Sequence, residues 1–205
     1  MGHIEVERRA LLDNPQERVR MCETMYWLGG VTMTNRVMIV YERVGNSKTT
    51  LRIDNGNQFI VTKIGDDAAA ARSEHTEEPK TSLEKTLRNL ADRGFTRAVV
   101  GRREMRAVKT DGVELSLRDV RRFDDPHDLV STLFEVEALD VAPGEEVSAL
   151  DRVERRMRSL RLTQLTDDEF NAWVTKTHAA ADRPFEYTPE AATELAASIN
   201  VFANR

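Results

Sequence analysis

Two short stretches decide the fold: Ile4–Arg9, which reads IEVERR, and Phe134–Ala138, which reads FEVEA. In an extended strand, successive side chains point to opposite faces of the sheet. Each stretch therefore puts apolar residues on one face and two carboxylates on the other: Glu5 with Glu7, and Glu135 with Glu137. Carboxylate oxygens are ligands that Mg²⁺ and Mn²⁺ prefer, so each stretch is typical of half a metal site.

The same alternation runs through other segments of the chain. In Val113–Arg118 (VELSLR) the apolar residues share one face, and Glu114 and Arg118 lie on the other; Leu51–Asp54 (LRID) repeats the pattern. An ordinary solvated sheet face would also carry such charge. Because several strands alternate carboxylates with guanidinium groups, and helices are available to cover the apolar face, a closed barrel with a charged interior is the alternative.

Composition sets the class of protein. The chain has 205 residues, with 30 basic and 35 acidic residues mixed throughout and a net charge of -5, so no global basic field would recruit duplex nucleic acid. The single cysteine, Cys22, excludes an internal disulfide and fits a reducing compartment. No apolar run is long enough for a membrane helix, and the N-terminus lacks a signal-peptide pattern. We expect a cytoplasmic protein; the oligomeric state stays open.

Strand and helix signals predict an α+β fold with a helical C-terminal tail. Branched and aromatic residues predict these strands after the first one: Val37–Glu42, Thr50–Ile53, Phe59–Ile64, Thr96–Val108, Val113–Val120 and Leu133–Leu139. Turn signals at Asn55-Gly56 and Asp111-Gly112 predict two hairpins. The segment Gly65–Pro79 lacks apolar periodicity and is predicted to be a surface loop.

Capping signals place the helices. Asn14-Pro15 begins a helix that carries Val19, Cys22 and Met25 or Tyr26 inward, and Thr81–Glu84 is a capping box. The tail is predicted to form three helices: Ser148–Leu160, one opening at Thr166 and one opening at Thr188-Pro189. Trp27 and Trp173 fall at helical positions and are predicted to be core residues. We expect residues 1–142 to form the barrel with its helices, and residues 143–205 to be a helical extension packed on it within the same domain.

Taken in order, these segments resemble the CYTH domain, the triphosphate tunnel metalloenzyme family, which includes class IV adenylyl cyclases and thiamine triphosphatases. The family's first strand, Glu-x-Glu-x-Lys, is matched by Glu5, Glu7 and Arg9, with arginine in place of lysine. Further strands match in colinear order, over roughly the first 140 residues, through Arg52, Lys63, Arg103, Glu114, Glu135 and Glu137. The resemblance implies a closed antiparallel β-barrel of about eight strands forming a charged tunnel, covered by helices.

Three further positions depart from the family pattern, and the acidic-aromatic motif of its second strand is not visible around Ile39 and Tyr41. Asp54 stands where the family has a second arginine, and Gly101 replaces a lysine, which leaves Arg102 or Arg106 to supply that charge. Arg118 stands where the family has an acidic residue.

The resemblance implies the following roles. Metal ligands for Mg²⁺ or Mn²⁺ would be Glu5, Glu7, Glu135 and Glu137. Catalytic residues would be Glu5, Glu7, Arg9, Arg52 and Lys63. Substrate-binding residues would be Arg9, Arg52, Lys63, Arg103, Arg118 and Glu114.

The implied activity is metal-dependent hydrolysis of a triphosphate compound: inorganic triphosphate, thiamine triphosphate or a nucleoside triphosphate. Hydrolysis of a triphosphate demands charge neutralisation and positioning, which arginine, lysine and a hard cation supply. Two alternatives stay open: an adenylyl cyclase of the same fold, and a non-catalytic module that binds polyphosphate or a 5′-triphosphorylated RNA end. The expected partner is a small molecule that contains a triphosphate.

Overall fold

The computed structural model describes residues 6–45, 47–64 and 73–203 and has α+β architecture. In chain order the elements are β1 (Glu7–Leu11), α1 (Pro15–Leu28), β2 (Thr32–Tyr41), β3 (Ser47–Asp54), β4 (Asn57–Ile64), β5 (Ser73–Glu77), α2 (Leu83–Asp92), β6 (Arg97–Thr110), β7 (Val113–Arg121), β8 (Leu129–Ala138), α3 (Glu146–Ser159), α4 (Asp167–Ala181), β9 (Arg183–Glu186) and α5 (Pro189–Ala203).

The strands form one nine-stranded sheet. Its hydrogen-bonded order is β1-β8-β7-β6-β2-β3-β4-β5, and β9 pairs with β6. Each pair whose register is described is antiparallel. Within the described ranges this order ends at β1 and β5, so the sheet is open and the expected closed barrel is not confirmed. Pairing of the first and last strands is a long-range contact, and local alternation does not specify it.

The chain divides into two compact units. The first comprises the residues up to Thr34 together with Arg103–Ala181, and the second comprises Asn35–Arg102 together with the residues from Asp182 on. Strands β2 and β6 contribute residues to both units.

The apolar core of the first unit lies on one face of β1, β8 and β7. Side chains of alternate residues, including Ala10, Leu115 and Val136, are buried there. Helix α3 packs against the same core through Val153 and Met157. The alternation read from the sequence therefore places the apolar side chains of these strands correctly.

Helix α1 turns inward a side that the prediction gave only in part. Met25 is buried and Cys22 packs against the core, as predicted, and Met21 is buried with them, whereas Val19 and Tyr26 are 51% and 78% exposed. The reason is that Arg18, one turn before Met21 and Cys22, reaches a buried carboxylate of β7, which fixes the rotation of the helix. Trp27 is 85% exposed, so its prediction as a core residue was wrong.

The second unit buries one face of β2 and β3. Ile39 and Leu51 are fully buried, and Tyr41 packs edge-to-face on Phe95 with ring centroids 5.8 Å apart. Helices α2 and α5 contact each other in this unit. No helix within the described ranges is long and apolar enough to span a membrane.

Turns and caps follow their sequence signals. Both predicted hairpin turns carry two residues with positive φ, Asn55 (48°) with Gly56 (88°) and Asp111 (47°) with Gly112 (72°), the geometry that suits two-residue hairpins. The three predicted tail helices are present as α3, α4 and α5. Strand β9 was not predicted, and β5 lies within the predicted loop, residues 65–72 of which fall outside the described ranges.

We expect Met25→Ala to lower the free energy of unfolding by about 2–5 kcal/mol, because it leaves a cavity in the core of the first unit. Trp27→Ala, two positions later on the exposed side of the same helix, should change it by about 0.5 kcal/mol or less. Urea unfolding of both variants measures the difference. Equal losses would contradict the rotation of α1 described above.

Candidate functional site

The charged face of the first unit is built by register. Across β1, β8 and β7, Glu7 lies opposite Glu137, and Glu137 lies opposite Glu114. We call these three residues the acidic row. Two residues further along, about 7 Å away in strand geometry, the next row contains Arg9, Glu135 and Ser116. Sequence alternation predicted this shared face; Glu5 lies outside the described residues.

Glu135 is the most enclosed of the described carboxylates on this face, with 6% of its surface exposed. Its Oε1 accepts a hydrogen bond from Nε of Arg9 at 3.2 Å, and its Oε2 accepts one from a terminal nitrogen of Arg118 at 2.6 Å. The hydroxyl of Ser116 also donates to Oε2, at 3.4 Å. Arg9 in addition forms an ion pair with Glu7. Both oxygens of Glu135 are therefore engaged by guanidinium groups.

Strand alternation assigns the arginines of β6. Val108 belongs to the apolar core, so Glu104 and Arg106 share its face, and Arg103 falls on the face that carries Glu135. Arg103 is 6% exposed. Arg106 is bound to Glu104 and to Asp119 of β7, so Arg106 does not supply a charge to the candidate site.

Helix α4 contacts the charged face. The Phe170 ring lies over the guanidinium of Arg9, 4.0 Å from its central carbon to the ring centroid. Trp173 stacks on Phe170 and donates its indole N–H to the hydroxyl of Ser131 at 2.8 Å. Leu133, on the same face as Glu135, is completely buried. An aromatic cover of this kind leaves the edge of a guanidinium available for carboxylate or phosphate acceptors.

A second ionic cluster lies on the core side of β7. Asp119 is completely buried and accepts hydrogen bonds from Arg18 of α1 at 2.9 Å, Arg106 at 3.0 Å and Thr132 at 2.7 Å. Burial alone would raise the pKa of Asp119, but these hydrogen bonds outweigh it and the pKa is lowered. In the sequence, Asp119 directly follows Arg118, the residue that stands where the family has an acidic one. Its partners Arg18 and Arg106 are distant in sequence, so the pattern around Asp119 does not indicate them.

The second unit carries its own charged face on β3 and β4. Arg52 lies 3.0 Å from Asp54 and has its guanidinium 5.0 Å from the centroid of Phe59. Asp54 also accepts two hydrogen bonds from Arg36. The predicted residue Lys63 lies directly opposite Lys48.

Lys48 was not singled out from the sequence. It has the same strand parity as Arg52, which is the signal that could have found it. Like charges directly opposite each other destabilise a sheet, and a bound anion would offset this cost.

The described carboxylates do not fit a metal ion. Nowhere in residues 6–45, 47–64 and 73–203 do three or more His, Cys, Asp or Glu side chains form a group that could hold one. The acidic row has the right donor type and alignment, but Glu7 is paired with Arg9 and both Glu135 oxygens bind arginine.

Solved structures share the fold. The PH1012 protein of Pyrococcus horikoshii OT3 aligns with a TM-score of 0.61 and 15% identity over 80% of this chain and 93% of its own. A "putative adenylate cyclase" from Vibrio parahaemolyticus aligns with a TM-score of 0.57 and 12% identity over 81% and 95%. A chain of the Schizosaccharomyces pombe Mediator head module aligns with a TM-score of 0.56 and 8% identity over 78% and 96%. No protein-family model and no curated protein matches the sequence.

These similarities confirm the resemblance to the CYTH domain at the level of the fold. Because proteins described in such different ways share this fold, the fold alone does not define an activity.

The lowered pKa of Asp119 makes a prediction about stability. A folded pKa below the ordinary value of 3.8 means that the ionised carboxylate stabilises the fold above that value, and that the contribution is lost as the pH falls through the folded pKa. Asp119→Asn should lower the free energy of unfolding at pH 7 by about 3–5 kcal/mol, since it leaves arginine charge without its partner. It should also flatten the decline in stability below about pH 4.

Urea unfolding at pH 7 and at pH 3 tests this expectation. Asp151→Asn is the matched control, because Asp151 forms an exposed ion pair with Arg155 on α3 and should contribute less than about 1 kcal/mol. An acid dependence of Asp119→Asn identical to that of the wild type would contradict the assignment.

Proposed function

We propose that this chain binds a triphosphate compound on its charged sheet face and hydrolyses it. The observation that carries the proposal is the pairing of Arg9 and Arg118 with the buried Glu135 on a face that also carries Arg103. Arginine and phosphate form charge-assisted, often bidentate hydrogen bonds, and covered guanidinium groups bind more strongly than solvated ones. The shared fold supports the resemblance to the family, but it does not define the activity, which depends on the residues of the site.

In this proposal the arginines hold and neutralise the phosphate chain. Arg9 presents the edge of a guanidinium whose flat face rests on Phe170, so its orientation is defined before the ligand arrives. Phosphoryl transfer depends mainly on positioning and charge stabilisation, which preorganised guanidinium groups provide. The charged face of the second unit, which carries Arg52, Lys63 and Lys48, is proposed separately as a phosphate-binding surface.

The acidic row is proposed to act on the attacking water. Glu137 lies between Glu7 and Glu114 in register, at the centre of the row. A carboxylate in such a row can accept a proton from water as it attacks a phosphorus atom. Dependence on Mg²⁺ or Mn²⁺ stays an expectation from the resemblance, and Glu5 would add to the row.

A triphosphate panel tests the proposal. Purified protein is incubated with inorganic triphosphate, thiamine triphosphate and ATP, with Mg²⁺, Mn²⁺ or EDTA, and the phosphorus products are identified. Orthophosphate release from at least one compound is the expected result. Pyrophosphate with a cyclic nucleotide would instead show a cyclase, and binding without any product would show a non-catalytic module.

Replacing the central carboxylate of the acidic row should separate activity from stability. Glu137→Gln keeps the shape of the side chain but removes a proton acceptor, so turnover should fall by about 100-fold or more. The free energy of unfolding should stay equal or rise, because repulsion within the row decreases. Glu154→Gln on α3 is the control, since Glu154 pairs with Arg8 on the other face. Steady-state rates and urea unfolding of both variants measure these effects. Undiminished turnover in Glu137→Gln would contradict the role of Glu137 as proton acceptor.

The lysine pair of the second unit gives another test. Lys63→Ala and Lys48→Ala should each weaken triphosphate binding by about 10-fold to 100-fold, if each forms a charge-assisted hydrogen bond to phosphate. Lys80→Ala is the control, because the Lys80 side chain is 77% exposed beside Glu78. Calorimetry with triphosphate and orthophosphate measures the effect. Equal triphosphate affinities of all three variants would show that Lys63 and Lys48 do not bind phosphate.

A further inference from the structure

We infer that Arg9 and Arg118, held in place by Glu135, bind the phosphate chain without a divalent cation, and that Glu135 is their positioning counterion. The inference rests on the proposed function and changes one part of it. The resemblance implies that Glu135 holds a metal, whereas its contacts assign it to the arginines.

The environment of Glu135 makes a metal-ligand role costly. Its side chain is 8% exposed, and each of its two oxygens accepts from a different guanidinium. To coordinate a cation, Glu135 would have to release at least one of these hydrogen bonds in a place that water barely reaches. Giving up a charge-assisted hydrogen bond at so enclosed a carboxylate costs free energy that water cannot restore.

Arg9 can exchange one partner and keep the other. Its Nε donates to the enclosed Glu135, whereas a terminal nitrogen pairs with Glu7, whose side chain is 24% exposed. A phosphate oxygen can therefore replace Glu7 at that nitrogen while Glu135 and the Phe170 ring keep the guanidinium in place. The exchange keeps an anionic acceptor at the guanidinium, and the released Glu7 carboxylate is exposed enough for water to solvate it.

Arg118 offers a donor that lacks an acceptor. Its side chain is 24% exposed, and one terminal nitrogen is bound to Glu135 at 2.6 Å. Its Nε is buried and, within the part of the chain that the structure describes, has no hydrogen-bond partner. A buried unsatisfied donor costs free energy, so a small shift of the side chain toward a phosphate oxygen is favoured.

The local charge balance also favours an anion. Next to the acidic row, two guanidinium groups, those of Arg9 and Arg118, converge on the one carboxylate of Glu135. Arg118 adds a positive charge where the family pattern has an acidic residue. A triphosphate at this end of the face therefore meets protein cations that supply the neutralisation otherwise expected from a metal.

Calorimetry with inorganic triphosphate in EDTA tests the inference. Wild type should bind, and Arg9→Gln and Arg118→Gln should each weaken binding by about 10-fold to 100-fold. Arg8→Gln is a closely matched control. Arg8 is the neighbour of Arg9 on the other face, pairs with Glu154 at 3.4 Å and has a side chain 30% exposed against 25% for Arg9. It should stay within about twofold of wild type.

Two further measurements address Glu135 itself. Mn²⁺ affinity without triphosphate should be unchanged in Glu135→Gln, and a loss of tenfold or more would overturn the counterion role. In a double-mutant cycle, the effect of Glu135→Gln on triphosphate affinity should shrink in the Arg118→Gln background, because Glu135 acts through that arginine. Additive effects would show a merely structural carboxylate. Arg118→Lys, which keeps the charge but loses the planar guanidinium with its several donors, should bind triphosphate with intermediate affinity.

The outcomes separate this inference from the proposed function. Binding only when Mg²⁺ or Mn²⁺ is present overturns the inference and leaves the triphosphatase proposal standing. Binding in EDTA, with no phosphate released in the presence of either metal, supports the inference and overturns hydrolysis. No binding under any of these conditions overturns both.

Discussion

The buried carboxylate of Glu135, between two guanidinium groups, is the interaction on which the charged face of the first unit depends. Water solvates charges on an exposed sheet, but here Phe170 and the buried Leu133 restrict it. Each ionic group on such a face needs a partner from the protein, since an unpaired buried charge costs several kcal/mol. Arg9 and Arg118 meet this need, and in return Glu135 fixes where their charges lie.

Strand alternation keeps two ionic systems apart in the first unit. Arg118 and Asp119 are neighbours in sequence, yet Arg118 joins the charged face and Asp119 joins the core-side cluster with Arg18 and Arg106. The first system is partly exposed, and a ligand anion can replace Glu7 as the partner of Arg9, which suits ligand binding. The second is centred on the completely buried Asp119 and attaches α1 to the sheet. One strand thus serves ligand recognition on one side and structural integrity on the other.

Local signals predicted most of the fold. Period-two alternation placed Glu7, Glu137 and Glu114 on one face, and capping residues gave the tail helices, since both signals act between residues close in sequence. The rotation of α1 was not predictable from apolar spacing, because Arg18 turns inward to a carboxylate about a hundred residues away. The open sheet and strand β9 were missed for the same reason: long-range pairing leaves little trace in a short stretch.

The candidate site was predicted in its residue types more than in its contacts. Glutamates and arginines were assigned to one face from parity, but which carboxylate faces a cation and which faces an arginine depends on side-chain reach. Glu135 and Glu137 are equivalent in the sequence pattern. In the structure Glu135 accepts hydrogen bonds from both Arg9 and Arg118, and these contacts change the role proposed for it.

The adjacency of Arg118 and Asp119 also bears on how the strand finds its partners. A slip of β7 by one residue would carry Arg118 into the apolar core and turn Asp119 away from Arg18, Arg106 and Thr132. Both ionic groups would then lose their partners at once, and the misregistered hairpin would be penalised twice. The Asp111-Gly112 turn offers only a local preference for the native pairing, whereas this double penalty discriminates against the shifted one. The two charges on opposite faces of β7 therefore favour the native strand register over the shifted one.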